Sequence, residues 1–136
     1  MDIESQLRNN IFVNNLNERR NSPKLNIFYP QVDKIILHLS FNNNGYEKFD
    51  TMEFSHVDLS YFKIECINRE CLVGGFDLSN LIRELVLSKN CELDGHLICN
   101  GYQDYKRYTA KQYHCLCKLN YKIEIRYINS PNGANR

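Results

Sequence analysis

Two stretches of the chain alternate apolar and polar residues with a period of two. Between Val32 and Phe41, the residues Ile35, Leu37, Leu39 and Phe41 fall on one side and Lys34, His38 and Ser40 on the other. Between Tyr113 and Ile128, Leu119, Tyr121, Ile123, Ile125 and Tyr127 share one side, with Lys118, Lys122, Glu124 and Arg126 opposite. This is the pattern of antiparallel strands with one face in water. Asn42-Asn43-Asn44-Gly45 tolerates positive φ, so the first strand turns there and returns through Tyr46 to Phe54 as a hairpin. Tyr61 to Cys66 and Gly95 to Asn100 read as further strands.

The period changes after Asp77. Leu78, Leu81, Ile82, Leu85 and Val86 fall at i, i+3, i+4, i+7 and i+8, which predicts one helix with a single buried stripe, capped by Asp77 and ending near Lys89 and Asn90. At the N-terminus, Ile3, Leu7, Ile11 and Phe12 have only partial helical spacing and predict a short, frayed helix. Asn14 to Pro30 has the polar, turn-rich character of a loop. The expected architecture is α+β: a small antiparallel sheet with one main helix. Residues 1–30 form a helix and loop segment, 31–128 a single domain, and 129–136 a disordered tail.

A length of 136 residues suits one core rather than two. Lys and Arg number 17 against 16 Asp and Glu, a net +1, far from the basic footprint of a dedicated nucleic-acid binder. Met1-Asp2-Ile3-Glu4 carries acids where a secretion signal needs positive charge, and no stretch approaches membrane-spanning length, so the expectation is a cytoplasmic protein without membrane contact. In a reducing compartment the 6 cysteines are better explained by metal than by disulfides.

Cys66 and Cys71, with four residues between them, have the spacing of a zinc knuckle, and Gly74 and Gly75 allow the backbone to turn around a thiolate-bound ion. Cys99 and Cys115 are too distant for a second knuckle. If their strands pair, however, they lie on one face within reach of the same ion. The expected site is therefore zinc-ribbon-like: Cys66, Cys71, Cys99 and Cys115 around Zn2+. Alternatives remain: Cys117 shares the face of Cys115 and could replace it, and Cys91, His96 and Cys99 could form a mixed site. His114 points away from Cys115 if the strand assignment is right. Several of the cysteines could instead be small buried hydrophobes, the reading favoured for Cys91 and Cys117 taken alone.

Three segments extend this picture. They are Cys66-x-Asn68-Arg69-x-Cys71-x-x-Gly74-Gly75-Phe76-Asp77-Leu78, then Leu97-x-Cys99-x-Gly101-x-Gln103-Asp104, then His114-Cys115 with Leu119-x-Tyr121-x-Ile123. In them the chain resembles a group of small, mostly uncharacterised bacterial proteins with four zinc-binding cysteines. The resemblance spans roughly residues 60–127, about half the chain, a length that suits one small metal module. It implies the same four ligands and no known activity. The chain departs from the group's pattern at Ile67, where a proline is usual, and at Tyr102, where a tryptophan is usual.

No catalytic signature accompanies the cysteines. Neither the His-x-Glu with Pro-Cys-x-x-Cys of zinc deaminases nor the His-Glu-x-x-His of metalloproteases is present. Four thiolates also close the zinc shell, leaving no position for an activated water. A metal-dependent nuclease built on Asp104 with His96 or His114 has too few ligands to support it. The segment 101–113 is more suggestive, because Tyr102, Tyr105 and Tyr108 interleave with Lys106, Arg107 and Lys111. Such a loop suits a protein interface, where amphipathic rings fill pockets, and secondarily a single nucleic-acid strand, where rings stack on bases. The expectation is a non-enzymatic, zinc-stabilised protein that binds a protein partner, with nucleic acid as the alternative. Its size and Asn-rich character suit an inhibitory or anti-defence factor. An exposed strand edge in the N-terminal hairpin leaves a homodimer open.

Overall fold

The computed structural model describes residues 3–68, 71, 74–99, 101 and 115–128. The elements in chain order are α1 (Ile3–Asn21), α2 (Leu25–Phe28), β1 (Val32–Asn43), β2 (Tyr46–Ser55), β3 (Lys63–Ile64), β4 (Phe76–Asp77), α3 (Ser79–Ser88), β5 (Glu92–Ile98) and β6 (Lys118–Tyr127). Four strands form one antiparallel sheet in the order β2-β1-β6-β5, and β3 pairs with β4 in a second, two-stranded sheet. The fold is α+β.

The sheet is built by the two alternating segments lying side by side. Ile35, Leu37, Leu39 and Phe41 of β1 stand opposite Ile125, Ile123, Tyr121 and Leu119 of β6, and all are buried. A one-residue slip would turn every one of these side chains to water, so burial on one face fixes the register. The turn between β1 and β2 has Asn44 at φ 53° and Gly45 at φ 89°, the two positive angles of a type I′ hairpin turn, with Gly45 N–H donating to Asn42 Oδ1 at 3.1 Å. In β5, Gly95 faces Tyr121, and a Cβ there would lie 2.6 Å from the Tyr121 hydroxyl oxygen.

Over the apolar face sit Leu78, Ile82, Leu85 and Val86 from the α3 segment, Phe62, Ile64 and Phe76 from around the small sheet, and Leu25 and Tyr29 beside α2. The predicted stripe is thus the one that packs. Asp77 Oδ1 accepts from Ser79 N–H at 2.9 Å, which satisfies one of the free amides of the first turn. Lys89 takes the left-handed conformation at φ 59° and closes the helix, with Asn90 N–H bonding Leu85 O at 3.0 Å.

The N-terminal segment differs from expectation. Instead of a short helix and a loop from Asn14, α1 continues to Asn21. Its asparagines disfavour helix by a few tenths of a kcal/mol each, but nothing forbids it before Pro23, which cannot supply a helical N–H. Arg19 and Arg20 in the last turn oppose the negative end of the helix dipole, and Ser22 Oγ bonds Glu18 O at 2.9 Å. Polar contacts tie α1 to the segment bearing the first cysteines: Lys63 Nζ meets Glu18 at 2.8 Å, and Arg8 Nη1 donates to Cys71 O at 3.3 Å. The strand predicted over Tyr61 to Cys66 shrinks to two residues because only Lys63 and Ile64 find partners. The predicted tail, residues 129–136, lies outside the described residues. Among those described, no helix is long and apolar enough to cross a membrane.

Candidate metal centre

Four segments converge at one end of the molecule. Cys66 follows β3, Cys71 precedes β4, Cys99 follows β5 and Cys115 leads into β6. Their four Sγ atoms all lie within 4.8 Å of one another. Cys66 and Cys115 approach to 3.5 Å and Cys71 and Cys99 to 3.7 Å. A tetrahedron of sulfurs around zinc, with Zn–S bonds of about 2.3 Å, has edges of about 3.8 Å. A disulfide would need about 2.05 Å, and all six cysteines are free. The spacing is compatible with four sulfurs sharing a metal ion.

The β5–β6 ladder delivers the second pair. Beyond Ile98 and Lys118 it continues with Cys99 N–H to Cys117 O and Cys115 N–H to Gly101 O, each 2.9 Å. Cys99 therefore stands opposite Cys117, two residues along from Cys115, and the cluster uses the diagonal pair. Cys117 is fully buried beside the cluster. Burial pushes its thiol pKa up, and a contact with the Cys66 sulfur works in the other direction. Cys91 immediately precedes β5, at the end of the strand away from Cys99. His96 is exposed on β5 opposite Asn120, so the alternative set of Cys91, His96 and Cys99 is not assembled. His114 lies outside the described residues.

Backbone and amide donors surround the sulfurs. Asn68 N–H points at Cys66 Sγ at 3.4 Å, and Gly101 N–H points at Cys99 Sγ at 3.4 Å. Each is an amide two residues after its cysteine, so Cys99-x-Gly101 reproduces the turn of Cys66-x-Asn68. The second pair of cysteines thus carries a knuckle-like turn of its own, at Cys99. Asn68 Nδ2 adds a bond to Cys115 Sγ at 3.4 Å, and Gly75 N–H one to Cys99 Sγ at 3.3 Å. Donors aimed at sulfur stabilise the thiolate form.

Without a cation the same crowding opposes ionisation. The Cys71 thiol is pushed well above the ordinary range, first by its hydrogen bond with Cys66 and then by burial. Cys99 is pushed up to about 11, mainly by burial. Four thiolates this close would repel strongly in a half-buried site, and a divalent ion would supply the compensating charge. Soft sulfur donors in a tetrahedral set select zinc or iron among the common metals.

No protein family, curated protein or solved structure matches this chain. The reading of the site rests on its own geometry. The sequence pointed to the four cysteines, with Cys117 open in place of Cys115; it did not point to Asn68 as a double donor, to Gly101 against the sulfurs, or to Arg8 reaching Cys71 O. The repeated offset of two in Cys66-x-Asn68 and Cys99-x-Gly101 is the signal that could have found the first two. The candidate binding residues Tyr102, Tyr105, Lys106, Arg107, Tyr108 and Lys111 lie outside the described residues.

An open cleft of about 1410 Å³ runs from the inner side of β2 to the Cys66–Asn68 turn. Its lining carries Arg19, Lys48 and Lys63 against Asp50, Glu53, Asp58 and Glu65, so it has no basic excess.

Proposed function

We propose that this chain is a zinc-stabilised recognition protein without catalytic activity, holding one Zn2+ on Cys66, Cys71, Cys99 and Cys115 and presenting residues 102–114 to a protein partner. The observation that carries the reading is the position of the cluster. Gly101 and Cys115 bond to each other at 2.9 Å and bound the thirteen-residue segment between them, and Cys115 is itself one of the clustered cysteines. A metal there clamps both ends of the segment to the first knuckle. Ordering a loop at its base lowers the entropy lost when the loop meets a partner.

A fully sulfur-coordinated ion has no open position, so it supports a structural rather than a catalytic metal. The neighbouring cleft, with three cations against four acids, suits a mixed-charge protein surface better than a phosphate backbone.

The test is affinity capture by the zinc-loaded chain, compared with a Tyr105→Ala/Arg107→Ala variant of unchanged zinc content. A partner protein held by the wild type and lost by the variant supports the reading. Equal capture by both contradicts the role of the segment. Capture that vanishes on nuclease treatment and weakens steeply with salt reassigns the partner to nucleic acid.

A further inference from the structure

β2 forms one edge of the four-stranded sheet. Two of its amides show which way its backbone faces: Thr51 N–H bonds Asp50 Oδ1 at 2.9 Å and Ser55 N–H bonds Asp58 Oδ2 at 2.7 Å, so neither serves the ladder with β1. Antiparallel strands alternate inward and outward backbone groups. The N–H and C=O groups of Glu47, Phe49, Thr51 and Glu53 therefore point to the free edge, and among the described residues no other segment bonds to it through its backbone. Residues 46–51 are all exposed, Phe49 at 71%.

We propose that β2 pairs antiparallel with β2 of a second copy of this chain, about a two-fold axis at Phe49. An open edge accepts another strand, and a two-fold arrangement uses the same strand on both sides. Charge decides the register. A symmetric pairing sets one residue opposite its own copy, and centring on Glu47, Lys48, Asp50 or Glu53 would bring like charges face to face, which destabilises a pair. Centring on Thr51 or Met52 sets Asp50 against Met52 or Phe54, with no opposite charge. Centring on Phe49 sets Lys48 against the partner's Asp50, and Asp50 against the partner's Lys48.

That register satisfies the edge in other ways. Lys48 and Asp50 have no ion-pair partner among the described residues. They become directly opposed in a non-hydrogen-bonded pair, where side chains are closest. Phe49 and its copy become neighbours on the other face, covering two exposed rings. Thr51 N–H passes from Asp50 to the carbonyl of the partner's Glu47, which releases the Asp50 carboxylate for Lys48. The two sheets join into one of eight strands.

The experiment is sedimentation equilibrium of the full chain over a wide concentration range, with circular dichroism to verify folding of every variant. The wild type is expected to dimerise reversibly. Lys48→Asp alone and Asp50→Lys alone each set like charges together twice and should weaken the dimer at least tenfold. The double variant Lys48→Asp/Asp50→Lys restores opposite pairs and should dimerise as the wild type does. An equimolar mixture of the two single variants should form a heterodimer. A wild type that stays monomeric overturns the proposal, as does a dimer that the single reversals leave unchanged or that the double variant and the mixture fail to restore.

Discussion

Gly101 packs directly against Gly74 beneath the sulfurs. A Cβ on Gly101 would lie 2.5 Å from the Gly74 Cα, 2.5 Å from its N and 2.5 Å from Cys71 Sγ, and a Cβ on Gly74 would run into both Cys71 Sγ and Cys99 Sγ. The obstacles are backbone and ligand atoms, which cannot step aside without moving the ligands. Gly74→Ala and Gly101→Ala are each expected to lose stoichiometric zinc, read by elemental analysis after gel filtration. Gly45→Ala is the control. Nothing lies within 4 Å of its Cβ, so it should keep zinc while paying about 1 kcal/mol for the positive φ of 89°.

Asn68 donates to two different ligands, through its backbone to Cys66 and through its side chain to Cys115. Replacing it with alanine keeps the first bond and removes the second. Loss of an outer donor of this kind weakens metal binding by roughly 10- to 100-fold. Asn68→Ala should therefore compete less well for zinc against a chromophoric chelator, with its far-UV spectrum unchanged. An unchanged affinity would remove Asn68 from the site.

The direction of the thiol shifts sets the pH dependence of zinc binding. Cys71 and Cys99 both have raised pKa values, Cys99 at about 11, so in the metal-free fold both hold protons at neutral pH. The protonated form is the one that the metal-free fold favours, and zinc needs the thiolate, so binding must displace these protons. Affinity should rise with pH and fall as solutions become acidic. Zinc added to metal-free protein in weakly buffered solution should release two or more protons per ion, measured by an indicator dye. Binding without proton release would contradict the assignment of these ligands.

Tyr127 anchors the end of α3 to the last strand, its hydroxyl donating to Asn90 O at 2.6 Å with Leu85 O at 3.2 Å. Burial pushes its pKa up to about 12, the Cys91 thiol adding to the effect. The neutral phenol is the form that the fold favours, so its contribution is complete below about pH 10 and is lost as pH rises through 12. Tyr127→Phe should cost about 1 to 2 kcal/mol in denaturant unfolding and leave zinc content unchanged.

Alternation along β1 and β6 and the apolar stripe of α3 were legible because one face of each is fully committed to the core. The turn at Asn44-Gly45 was legible because only a few residues tolerate two consecutive positive φ angles. The extent of α1 was not, since none of its described side chains is buried and its contacts, such as Lys63 with Glu18, join residues far apart in sequence. The choice between Cys115 and Cys117 turned on ladder geometry that spacing leaves open. Both share a face, and Cys117 is the one directly opposite Cys99, yet the diagonal neighbour holds the fourth corner.

The most direct test of the account is elemental analysis of the chain purified under reducing conditions without chelator, alongside Cys66→Ser and Cys99→Ser variants, with thermal unfolding of each. One zinc per wild-type chain is expected, lost in both variants, with a lower melting temperature in both and in the wild type after chelation. A wild-type chain that is folded, free of metal and indifferent to chelation would contradict it.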